Sequence, residues 1–188
     1  MTPILLRFLN FPVVLLVAAV GFGLQTALFS HPPLDLFRPD LLALLVIWAA
    51  HHRTFIEGGL LTLVLSHLAE GQSASPQGLF LLTYMSLFMA LRIANRVFLI
   101  RPKESLTTVC IVASLWVEAA KSGTLALFNV EQNDLRFWLL SFILPALVNP
   151  IYGWVVFRWL ERLDAVTYKD PRSALAEEER LGIWEEGL

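Results

Sequence analysis

Phe37-Arg38-Pro39-Asp40, the apolar run Leu-Leu-Ala-Leu-Leu-Val-Ile-Trp-Ala-Ala over 41–50, and His51-His52-Arg53 form the stretch that decides the fold. Charge stands at both ends and nothing polar lies between. As a helix, a run of ten residues spans roughly 15 Å, well short of a hydrocarbon core of about 30 Å. A second apolar run, 55–69, follows almost at once. Alone, this pair has the look of a soluble core; the rest of the chain decides otherwise.

The 188 residues are 56% apolar and 16% charged, with a mean hydropathy of +0.64. An ordinary globular domain is nearer 45–50% apolar and about 25% charged. The excess falls in blocks of roughly 20 residues, the length that spans a bilayer as helix. A soluble all-α protein would alternate apolar and polar faces at a period of 3.6, and these blocks do not. The pattern predicts an all-α membrane protein of six transmembrane helices, some short or kinked.

The blocks cover about 11–29, 41–50, 55–69, 78–97, 106–128 and 137–160. Residues 1–160 form the predicted transmembrane domain, and 161–188 an acidic cytoplasmic tail, partly disordered or with a short helix over 173–183. Arg38-Pro39-Asp40 reads as a helix start, with Pro39 near the first helical position and Asp40 by the positive end of the dipole. Blocks two and three are too short for full spans; they sit inside the bundle, extend through their polar ends or thin the bilayer. Pro145 and Pro150 are expected to kink the last helix, since each removes a backbone hydrogen bond.

Arg7 is the only charge ahead of the first block, and no small-x-small cleavage site follows it, so the block is expected to stay in the mature protein. With both termini cytoplasmic, eleven of the 14 Lys and Arg residues fall inside, against Arg38, Lys121 and Arg136 outside or near it. Cys110 is the only cysteine, which excludes an intrachain disulfide. No basic run points to nucleic acid. No nucleophile elbow, phosphate loop or metal-ligand spacing appears, so no catalytic, cofactor or metal residue is expected. His51 and His52 point about 100° apart on a helix, and His67 with Glu70 supplies only two ligands.

Other residues carry candidate binding or structural roles. Glu118 and Lys121, at i and i+3 inside a span, are expected to pair and to form a polar site or a packing bridge. Glu57 is placed to meet Arg53, four residues earlier. Gly58 and Gly59, and the small pair Ala19 and Gly23, invite close approach of another helix. Arg38 is expected at the outer mouth of helix two, holding the carboxylate of Asp40 or of a partner. Arg92 and Arg96 are expected to snorkel to inner headgroups.

Over about residues 36–92 the order of motifs resembles the rod shape-determining protein MreD family. Its marks are Phe37-Arg38-Pro39-Asp40, an apolar helix, His52-Arg53, a Gly-containing helix ending in Glu70-Gly71, and Gly78. The segment Asn149-Pro150-Ile151-Tyr152-Gly153-Trp154 before Arg158 fits the family's last span. His67 stands where the family often has an aspartate, and the turn after Gly71 is longer by a residue. The resemblance implies a non-enzymatic, multi-pass subunit of the bacterial inner membrane. It would bind MreC, connect indirectly to MreB, RodA and the transpeptidase partner of RodA, and scaffold or regulate lateral peptidoglycan synthesis and cell shape. The implied fold is similar to the substrate-binding subunits of energy-coupling-factor transporters. That analogy supplies the rival function, a vitamin-binding subunit of a membrane transporter.

Overall fold

The computed structural model describes residues 3–29, 37–73, 75–98, 102–128 and 135–167. Among them are six helices: α1 Pro3–Leu28, α2 Leu41–His52, α3 Phe55–Gly71, α4 Leu79–Phe98, α5 Pro102–Leu127 and α6 Leu135–Val166. Segments of α1, α4, α5 and α6 are long and apolar enough to cross a membrane, as in a helical membrane protein. The sequence predicts six spans; by length and composition four helices qualify, because α2 has only 12 residues and α3 only 17.

Where α2 goes explains its composition. It packs against all five other helices, and every residue from 42 to 50 is buried. A helix surrounded on all sides needs no polar face, so its apolar run is continuous rather than periodic. Of the alternatives for the short blocks, α2 takes the first and sits inside the bundle. Around it the long helices turn large apolar side chains outward, among them Leu16, Val20 and Leu24 of α1 and Ile151 and Trp154 of α6. Buried centre and apolar exterior together fit a lipid solvent, where an apolar outer face carries no penalty.

Local chemistry sets the ends of α2. Asp40 caps it, its carboxylate accepting from the Ala43 N–H at 2.9 Å. At the other end Arg53 leaves the helix in an extended conformation, and Thr54 starts α3 by accepting from the Glu57 N–H at 3.2 Å. Two residues therefore suffice to reverse the chain. Buried Thr62 and Ser66 in α3 donate to the carbonyls of Gly58 and Thr62, four residues back, and leave no unmet donor.

Gly58 lets α2, α3 and α4 meet. A Cβ there would stand 2.9 Å from the Phe88 ring and 3.2 Å from the Ala49 carbonyl oxygen. At Gly59 the nearest atom would be at 3.7 Å, an ordinary contact. Gly58→Ala is expected to cost about 1–3 kcal/mol by overpacking, and Gly59→Ala much less. Thermal melting of the purified protein in detergent checks this. Phe88→Leu, by withdrawing the ring, should recover part of the Gly58→Ala loss.

Three expectations need correction. Ala19 and Gly23 do not form a seam within the chain: both are exposed, with no atom within 4 Å of a Cβ on Gly23. α1 packs instead through Val14, Ala18 and Gln25, the face one position around. The last helix does not end at Leu160; it runs through Pro145 and Pro150 to Val166, so the tail boundary at 161 cuts an intact helix. Arg92 does not simply snorkel. Its guanidinium donates to the carbonyls of Ala50 and Arg53 at 3.3 and 3.2 Å, meeting acceptors that the end of α2 leaves open. The helix expected over 173–183 lies outside the described residues.

Candidate functional site

Polar chemistry concentrates at the two ends of α2, about 18 Å apart by helix rise. At the C-terminal end Arg53 is 1% exposed and uses nearly all its donors. One guanidinium nitrogen lies 3.0 Å from Asp164 Oδ2 and the other 2.6 Å from Asp164 Oδ1, a bidentate pair. The second nitrogen also donates to Asn10 Oδ1 at 2.8 Å. Nε stands 3.5 Å from Glu57 Oε1, and the guanidinium carbon lies 4.2 Å above the Trp48 ring. Asn10 spends its two N–H groups on Asp164 Oδ1 and Thr167 Oγ1. This cluster joins α1, the α2–α3 corner and the end of α6.

The Arg53–Glu57 contact is the one that the i, i+4 spacing predicts. Asp164 and Asn10 are the partners sequence reasoning missed. Asp164 lies in what reads as a solvated acidic tail, and Asn10 stands just ahead of the first apolar block. His51 and His52 turn back to the carbonyls of Ile47 and Trp48 on their own helix and do not converge. His67 is exposed, 4.0 Å from Glu70; Glu70 Oε1 accepts from the Leu81 N–H and caps α4.

At the N-terminal end, four helices converge on Asp40: α2, which it caps, and α4, α5 and α6. Its backbone N–H donates to Asn149 Oδ1 of α6 at 2.8 Å. The Tyr84 hydroxyl of α4 lies 2.9 and 2.8 Å from the two carboxylate oxygens and donates to them. Lys121 of α5 brings Nζ to 3.6 Å from Asp40 Oδ2 and 3.0 Å from Glu118 Oε1. The Glu118–Lys121 pair is thus formed as its spacing predicts, and Asp40 extends it to a triad. Asn149 continues the chain through Ser114 Oγ, which donates to the Cys110 carbonyl.

The carboxylate of Asp40, one of the two expected for Arg38, is therefore not held by it. As the helix cap it turns towards the bundle, where Tyr84 and Lys121 reach it. Arg38 stays exposed, with no ion-pair partner among the described residues. It lines a cleft of about 360 Å³ together with Gln25, Asp40, Tyr84, Glu118 and Lys121. Phe22, Leu42, Ala69 and Phe80 supply apolar wall.

No family model, curated protein or solved structure matches the chain.

The geometry thus stands by itself. The C-terminal cluster is closed: Arg53 and Asp164 are buried and satisfy each other, with Glu57 half-buried at the edge, as suits a lock between helices. The N-terminal cluster is open on one side, and its cleft keeps hydrogen-bonding capacity unused. Among the described residues no three His, Cys, Asp or Glu side chains converge as metal ligands.

Proposed function

We propose that this chain is a non-enzymatic inner-membrane subunit of the bacterial elongation machinery, of the MreD type. In this reading it binds MreC and, through it, couples MreB filaments to RodA and its transpeptidase partner. All six helices lie within the bilayer region, arranged like the substrate-binding subunits of energy-coupling-factor transporters. Both termini are cytoplasmic, the N-terminal end of α2 faces outward, and the Lys and Arg bias of the sequence supports that orientation.

The observation that carries this reading is the role of the resembling stretch. Arg38-Pro39-Asp40 and His52-Arg53 bracket the helix that every other helix touches. Asp40 and Arg53 are the residues to which the other helices are tied at its two ends. The exposed pair Ala19 and Gly23 on α1, with open space beside Gly23, adds room for a partner's membrane helix. Arg38, exposed and without a carboxylate from its own chain, suits contact with a partner's acidic group.

Co-purification in detergent with a co-expressed MreC protein tests the proposal. Arg38→Ala should insert normally and reduce MreC recovery about fivefold, equivalent to about 1 kcal/mol. Unchanged recovery counts against Arg38 as a contact, and absence of any complex counts against the whole reading. The cleft favours one rival, a vitamin-binding subunit, because Gln25, Arg38, Glu118 and Lys121 all line it. Nanomolar capture of a vitamin with no MreC bound would select that rival.

A further inference from the structure

We propose that the cleft at the N-terminal end of α2 binds a small zwitterion: an anionic group beside an amine that carries N–H donors. An ethanolamine phospholipid headgroup and free glycerophosphoethanolamine share that chemistry. The inference concerns the cleft alone and holds whether the chain serves as a scaffold or as a carrier.

Gln25 provides the first observation. Its side chain is 5% exposed and lines the cleft. Its amide nitrogen donates to the Pro39 carbonyl at 2.6 Å. That acceptor fixes which end of the amide is nitrogen, so the other end is the carbonyl oxygen. Gln25 Oε1 is buried and has no hydrogen-bond partner. A buried acceptor left unmet costs about 1–3 kcal/mol, and a donor entering the cleft would answer it.

Charge provides the second. Two cations, Arg38 and Lys121, and two carboxylates, Asp40 and Glu118, line the cleft, so it is formally neutral. Lys121 is engaged by both carboxylates and Asp40 also by Tyr84. Arg38 and the second oxygen of Glu118 have no partner among the described residues. One free cation and one free carboxylate oxygen, beside the orphan acceptor, suit a ligand that is neutral overall but carries separated charges. A simple anion would leave Gln25 and Glu118 unanswered; a simple cation would leave Arg38.

Size and walls agree. About 360 Å³ is at the small end of ligand sites. Phe22 and Phe80 offer ring surface, on which an ammonium is attracted.

Native mass spectrometry of the purified full chain in nonionic detergent tests this. The probes are equimolar dioleoyl phosphatidylethanolamine, phosphatidylcholine and phosphatidylglycerol. Phosphatidylcholine keeps both charges but has no N–H donor; phosphatidylglycerol keeps the anion but has no ammonium. Phosphatidylethanolamine should be retained at least about tenfold over each. Gln25→Met should erase the preference over phosphatidylcholine, and Arg38→Ala should lower retention of phosphatidylethanolamine. Because Arg38 is exposed, its variant keeps the test decisive should Gln25→Met fail to fold. Calorimetry with glycerophosphoethanolamine separates the sources: binding as tight as the lipid's points to a soluble ligand, and binding of the lipid alone to a headgroup. Equal retention of phosphatidylethanolamine and phosphatidylcholine overturns the proposal, as does a preference unchanged in the variants, or no binding of any probe.

Discussion

Asp164→Ala is expected to destabilise the folded chain by about 3–5 kcal/mol, the cost of leaving a buried charge without its partner. Arg53 is 1% exposed and Asp164 3%, and their two-point contact at 2.6 and 3.0 Å is the strongest in the cluster. With the carboxylate gone, the guanidinium keeps Asn10 Oδ1, Glu57 and the Trp48 face, which do not replace a bidentate counter-ion. Arg53→Met should cost a similar amount, since Asp164 would keep only the Asn10 amide. The double variant Arg53→Met with Asp164→Leu should cost clearly less than the two singles added, because both charges leave together. Unfolding titration with a denaturing detergent reads all three. Single variants costing under about 1 kcal/mol, or strict additivity, would sink the account of this cluster as a buried lock.

Asp40→Ala is the second large effect, expected at about 2–4 kcal/mol. Two losses add. The cap on the Ala43 N–H contributes about 1 kcal/mol. The buried Tyr84 hydroxyl then loses its acceptor, at about 1–3 kcal/mol. Lys121 suffers less, since Glu118 remains at 3.0 Å. Asp40→Asn keeps a cap oxygen and an acceptor for Tyr84 and should recover more than half of the loss. The comparison separates shape from charge. If Asn and Ala prove equally damaging, the carboxylate's charge towards Lys121 is the dominant element and the hydrogen-bond ledger is wrong.

Local features of the sequence carried further than distant ones. A helix start at Asp40, Arg53 with Glu57, and Glu118 with Lys121 were legible because each depends on residues within four positions, where helix geometry alone dictates neighbours; that Asp40 is the cap and Leu41 the first helical residue came from the structure. Gly58 was legible as a site of close approach, though not what approaches it. Asp164 was not legible as the partner of Arg53. The two are 111 positions apart, and the Glu161-to-Glu179 region around Asp164 has the composition of a solvated tail. Tyr84 was hidden for the same reason, 44 positions from Asp40. The Arg38–Asp40 pairing did not form because Asp40, as the helix cap, gives its carboxylate to Tyr84 and Lys121.

By itself the sequence determined that this chain is helical, apolar in blocks and suited to a membrane, because composition and block length depend on no contact. It also determined that the stretch from Phe37 to Arg53 is a short helix with charge at both ends. Only the tertiary structure decided that this helix lies at the centre of the bundle and that its two ends differ. One end is locked by Asp164 and Asn10, and the other is open at a cleft. That difference depends on which residues of five other helices reach each end, and side chains brought together over such separations obey packing, not sequence spacing.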